Sequence, residues 1–206
     1  SLGYSATLLK GENYLATELY TADYTIGQLV NAGYTTNDVA TAGYSASQLK
    51  TENFIASELK IAGFTASELK TANFTASELK VADFTAPELK TAGFTASELK
   101  VAGFTASELK TSGFTASELR TAAFSASELK TAGFIDTQIL AAGFSSLELR
   151  SAEYGAIPLK NAGYTSVQMQ SGGYTVLQLQ AAGYSDYNIL RSNFTVFQLT
   201  IGGYSP

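Results

Sequence analysis

Ten glutamates stand at positions ending in 8, from Glu18 to Glu148. Twelve lysines and arginines stand at positions ending in 0, from Lys10 to Lys160. Serines and threonines fill most positions ending in 5. Carboxylates, hydroxyls and ammonium groups at fixed spacing could in principle do acid–base or nucleophilic work. Acid–base work needs carboxylates held in a pocket with displaced pKa values. A nucleophilic Ser or Thr needs an activating base, and the chain has no His and no Cys. A Ser–Lys pairing fits the spacing, yet Pro87 takes the serine slot in one of the best-kept copies. Thiolate and imidazole metal sites are excluded along with disulfides. The five Asp are too scattered for a calcium loop. Gly172-Gly173 and Gly202-Gly203 read as turns and lack the Lys of a phosphate cradle. No catalytic residue, cofactor site or metal site is expected, and the chain reads as a non-enzyme.

The regularity itself sets the architecture. The chain is a ten-residue word repeated about twenty times, so that the last digit of a residue number gives its column. Column four is aromatic in all 21 copies. Column nine is Leu, Ile, Val or Met throughout. Column three is Gly, Asn or Asp in 19 of 21, column five Ser or Thr in 17 of 21, and column eight Glu or Gln in 16 of 20.

Word nine shows what this pattern dictates. Thr85 is placed as a helix N-cap, accepting from the Glu88 N–H, while the Glu88 carboxylate reaches back to the Thr85 N–H. That reciprocal pair is a capping box, and Phe84 and Leu89 are the two arms of a hydrophobic staple. Pro87 falls in the first turn, where its missing N–H removes no intrahelical bond. Gly93 then sits where a left-handed residue ends the helix, with Phe94 packing back on Leu89. The expected fold is all-α: an α-solenoid of about twenty single-short-helix decapeptide repeats. Helices this short do not stand alone in water, so each must bury its Leu and Phe against other copies.

Ala-Asn-Phe-Thr-Ala and Ser-Glu-Leu-Lys-Val, as two five-residue units, resemble the pentapeptide repeat, which implies a right-handed β-solenoid. That fold needs columns two and seven to stay small. Column two holds Glu12 and Glu52, and column seven holds Leu147, Tyr187 and Phe197. Glycines in column three would also fall in mid-strand. Rows of Thr on a flat β-solenoid resemble ice-binding proteins; here the cap explains the Thr column, and Ser replaces Thr freely.

The chain reads as a single repeat domain, 1–206. Its words are diverged over 1–50, near-identical through the centre (51–130) and diverged again over 131–206. Column one alternates between Thr and Ile or Val at 61, 71, 81, 91 and 101, which suits a coil of two words. Glu and Lys columns side by side suggest a mutually compensating charged surface. With a net charge of −5 and the aromatics committed to column four, no nucleic-acid groove is expected. No apolar run approaches a membrane span, and the first residues show no signal segment.

In six consecutive words column seven turns apolar: Leu147, Ile157, Val167, Leu177, Tyr187 and Phe197. Leu140 and Leu190 replace lysine in column ten. Such a stripe is either a contact surface for another protein or for a second copy, or a sign of coil geometry that buries it. The function expected is that of a rigid spacer, scaffold or assembly component. The alternative is a module binding a surface or ligand such as polysaccharide or ice through the Tyr-rich ends.

Overall fold

The computed structural model describes residues 3–205; Ser1, Leu2 and Pro206 of the expected repeat span lie outside it. The chain divides into two compact units, Ser1–Phe104 and Thr105–Pro206. Twenty short helices make up the secondary structure among the described residues, and there is no strand. The helical expectation holds and the β-solenoid does not.

The first unit contains α1 (Ala6–Gly11), α2 (Ala16–Thr21), α3 (Ile26–Asn31), α4 (Thr36–Ala42), α5 (Ala46–Thr51), α6 (Ala56–Ile61), α7 (Ala66–Thr71), α8 (Ala76–Val81), α9 (Ala86–Thr91) and α10 (Ala96–Val101). The second contains α11 (Ala106–Thr111), α12 (Ala116–Thr121), α13 (Ala126–Thr131), α14 (Asp136–Ala141), α15 (Ser146–Ser151), α16 (Ala156–Asn161), α17 (Ser166–Ser171), α18 (Val176–Ala181), α19 (Asp186–Leu190) and α20 (Val196–Ile201).

Each helix starts and stops where the columns dictate. Thr75 Oγ1 accepts from the Glu78 N–H at 3.2 Å, and Glu78 Oε2 accepts from the Thr75 N–H at 2.6 Å. In word nine the carboxylate half is made, with Glu88 accepting from the Thr85 N–H at 2.6 Å, but the Thr85 hydroxyl caps no backbone N–H. At the far end the Gly93 N–H donates to Lys90 O at 2.8 Å and the Phe94 N–H to Leu89 O at 3.0 Å, the two bonds of a Schellman ending. Gly93 has φ 83°, and every other described column-three residue also has positive φ, including Ala123 at 62° and Glu153 at 63°.

Within each unit a helix packs on the second helix along: α2 on α4, α6 on α8, α15 on α17, α16 on α18, α18 on α20. Two words therefore complete one coil, as the column-one alternation suggested. At about 100° per residue, columns six, nine and ten gather on one side of each helix and columns seven, eight and the next one on the other. The first side makes the core. Leu89 and its column-nine equivalents from Leu19 to Ile189 are fully buried, with Ala86 and Phe84 beside them. The second side faces solvent, with Ser77, Glu78 and Val81 exposed on α8.

Residues twenty apart stack from coil to coil. Six column-four tyrosines donate their hydroxyls to a carbonyl of the preceding coil, among them Tyr24 to Tyr4 O and Tyr34 to Tyr14 O, each at 2.6 Å. Two tyrosines use a side chain instead. Tyr154 donates to Asp136 Oδ1 at 2.7 Å, and Tyr204 donates to Asp186. Those two Asp share column six, where Ala is usual, so the unusual residue and its tyrosine eighteen places on go together.

Candidate functional site

Column ten is the strongest departure from sequence expectation. The lysines are tied first to backbone carbonyls and ring faces, and the charges of Lys50, Lys60 and Lys70 also help to lower Glu78, Glu88 and Glu98, 28 residues on. Lys60 Nζ donates to Asp83 O at 2.7 Å and Lys50 Nζ to Asn73 O at 2.6 Å; Lys70, Lys80, Lys110 and Lys160 reach the equivalent carbonyls 23 residues on. The same nitrogens lie over the aromatic ring one residue further, Lys50 at 4.2 Å from the Phe74 centroid and Lys80 at 4.3 Å from that of Phe104. Each ammonium thus sits at the carbonyl-rich end of a neighbouring helix and on a ring face, both attractive to a cation. The glutamates are used differently, at helix starts. Lys50 does lie 3.8 Å from Glu78 Oε1. Where Lys is missing, Tyr20 packs edge-on against Tyr44, 24 residues ahead, at 4.7 Å between centroids.

The carboxylates carry the electrostatic mark of capping. Hydrogen bonds from the Thr65 hydroxyl and N–H hold Glu68 below the ordinary carboxylate range. The same pair from Ser145 lowers Glu148, and the Thr95 N–H and hydroxyl lower Glu98. These groups face solvent at helix starts. The tyrosine-rich words mostly bury their rings: Tyr24, Tyr34, Tyr44, Tyr174 and Tyr184 are in the core, whereas Tyr4, Tyr14, Tyr20 and Tyr187 are exposed.

Column seven faces outward, and its apolar members are exposed. Leu147, Ile157, Val167, Leu177, Tyr187 and Phe197 range from 42% to 74% exposure. No coil geometry hides them. The two-word coil, however, splits them by parity. Leu147, Val167 and Tyr187 belong to α15, α17 and α19; Ile157, Leu177 and Phe197 belong to α16, α18 and α20. There are two rows, not one stripe.

The rows differ in their neighbours one helical turn on. Leu147, Val167 and Tyr187 are followed by Ser151, Ser171 and Arg191, and the Arg191 guanidinium donates to the Tyr187 hydroxyl at 2.5 Å. Ile157, Leu177 and Phe197 are followed by Asn161, Ala181 and Ile201, all exposed. Of the two column-ten leucines, Leu190 is exposed and Leu140 is half-buried. Sequence reasoning missed a third row, in the first unit. Ile61, Val81 and Val101 end α6, α8 and α10 and are at least 80% exposed. The column-one alternation was its signal.

Inside the second unit the packing is adjusted pair by pair. A Cβ on Gly202 would lie 2.7 Å from Val176 Cβ, and one on Gly172 would lie 2.7 Å from Ser146 Cβ. The usual residues at both columns are Ala. At these two places a larger residue in column six is matched by glycine 26 places later. These two glycines have helical φ, −77° and −79°, so they supply space, while Gly173 and Gly203 make the stops.

Outward columns, inward core and reciprocal caps define a tandem helical repeat protein. Among the described residues no helix is long and apolar enough to cross a membrane. A family model described as a decapeptide repeat region matches residues 3–76 and again 73–146, together more than half of the chain. The chain belongs to the decapeptide repeat family. No curated protein and no solved structure matches it.

Proposed function

We propose that this decapeptide repeat protein is a non-catalytic scaffold or assembly component and that its second unit carries the contact surface. One observation supports the reading above others. Column seven, which in most central words presents Ser to solvent, presents six apolar side chains in consecutive words that keep the same short-helix repeat. Column seven is exposed in all six words, so burial in the core does not account for the change. Exposed apolar groups kept in register on a regular framework are what a binding surface needs.

The test is capture from the native source with the full chain and with a Leu177→Glu/Phe197→Glu double variant. The reading expects the double variant to lose at least nine-tenths of whatever the parent retains, itself or another protein, with unchanged helical circular dichroism. Equal retention by both would overturn it. Binding of polysaccharide or ice through Tyr-rich words has less support, since most of those rings are buried and their hydroxyls already donate to backbone.

A further inference from the structure

Lys50 shows what holds a column-ten cation. Its nitrogen meets three groups at once: Asn73 O at 2.6 Å, the Phe74 ring at 4.2 Å from the centroid and Glu78 Oε1 at 3.8 Å. A carbonyl at a helix end, a ring face and a carboxylate all attract an ammonium group. They stand 23, 24 and 28 residues after the lysine. One word earlier the same frame is Gly63 O, Phe64 and Glu68, and the residue 23 before Gly63 is Ala40.

The frame around Gly63 is open where the others are filled. No group of the described residues donates to Gly63 O. A Cβ on Gly63 would meet nothing within 4 Å, whereas on Gly33, Gly93, Gly103 or Gly133 it would stand 3.1 to 3.5 Å from a lysine nitrogen. Phe64 is half-buried, while Phe74, Phe84, Phe94 and Phe104, each under a lysine, are buried. The Thr65 hydroxyl and N–H lower Glu68 without the lysine charge that assists at Glu78, Glu88 and Glu98.

The carboxylate has been kept although its lysine is gone. Three other words that lack the lysine also lack the acid 28 places on, pairing Tyr20 with Gln48, Leu140 with Gln168 and Gln170 with Gln198. Capping does not need the charge, since Gln168 accepts from the Thr165 N–H at 2.8 Å. Val30 and Ala40 keep Glu58 and Glu68, and Ala40 is the smaller of the two. Residues 11–49 contain four carboxylates and no Lys or Arg, so the local field draws cations.

We propose that Gly63 O, Phe64 and Glu68 bind a primary alkylammonium from outside the chain, chemically the end of a lysine side chain. The ammonium donates to Gly63 O, lies on the Phe64 ring and faces Glu68, as that of Lys50 does one word on. The site is in the first unit and stands apart from the contact surface of the second.

The test is titration of the full chain with n-butylammonium chloride at constant ionic strength, followed by the amide and ring signals in NMR. The Gly63 and Phe64 signals should shift and saturate, and those of Gly93 and Phe94, filled by Lys70, should not. Ala40→Lys should supply the ammonium from within, cut the Phe64 response about fivefold or more and raise the urea midpoint. Lys50→Ala should make Phe74 respond as Phe64 does. Two further probes separate the sources. If the part of the shift abolished by Ala40→Lys appears at lower concentration with the tripeptide Gly-Lys-Gly than with spermidine, the ammonium belongs to a partner's lysine; the reverse assigns it to a free polyamine, and either result carries the site. A Phe64 response that stays linear, matches that of Phe94, is reproduced by neutral n-butanol or survives Ala40→Lys would overturn it. Circular dichroism of both variants checks that the helices are intact.

Discussion

At the residue scale, the N-cap hydroxyl and the column-eight carboxylate work as a unit, and natural exceptions show how. Where the cap is Leu15, Ile55 or Ile135, the reverse bond remains, with Glu18 accepting from the Leu15 N–H at 2.7 Å and Glu58 from the Ile55 N–H at 2.9 Å. Where column eight is Pro158 there is no N–H to cap, and column five is Gly155, which has no side chain to cap with. The hydroxyl is absent where its donor is absent. Thr75→Ala should therefore cost about 1 kcal/mol, read as a lower urea midpoint. Thr85→Ala should cost less, because its hydroxyl makes no backbone cap.

At the element scale, what joins helices is coupled between words, and much of it was hidden in the sequence. The start, core and stop of a helix were legible because they lie within ten residues: Thr85, Glu88, Leu89 and Gly93 explain one another locally. The two-word coil was legible from Ile61, Val81 and Val101. The destination of Lys60 was not. Its partner, Asp83 O, lies 23 residues away, and a backbone acceptor leaves no trace in residue type. The glutamate column offered a partner of opposite charge, and Lys60 does act on Glu88, but the carbonyl it donates to could not be read from it. The apolar column seven was visible as a set, but whether it faced inward, and that it formed two rows, depended on the coil. The matched pairs Val176–Gly202 and Ser146–Gly172 were readable only once the 26-residue register was known. That register makes a sharp prediction. Gly202→Ala should destabilise by about 1–3 kcal/mol by overpacking. In a Val176→Ala background the same change should be nearly neutral, and a double-mutant cycle by urea denaturation measures the difference.

At the scale of the whole molecule, the capping carboxylates set the response to acid. Glu68, Glu88, Glu98 and Glu148 are held low by hydrogen bonds that exist only when folded. Their unfolded counterparts, with an ordinary value of 4.5, bind protons more readily, so stability falls as pH falls. The contribution is complete above about pH 4.5 and is lost as pH drops through the lower folded values. With no His and no Cys in the chain, it has no side chain whose ordinary value lies near neutrality. The urea midpoint should be flat between about pH 5.5 and 7.5 and decline below about 4.5. A decline that began near pH 6.5 would contradict this assignment.

The half-turn that each word contributes also governs how such a chain can lengthen or shorten. Gain or loss of twenty residues preserves the flank on which every later side chain of that unit emerges. Gain or loss of ten exchanges the flanks, sending the row of Ile157, Leu177 and Phe197 to the side where Arg191 now lies, relative to all that precedes it. Copy-number change is therefore silent in even steps and disruptive in odd ones, a parity rule imposed on the gene by a six-residue helix.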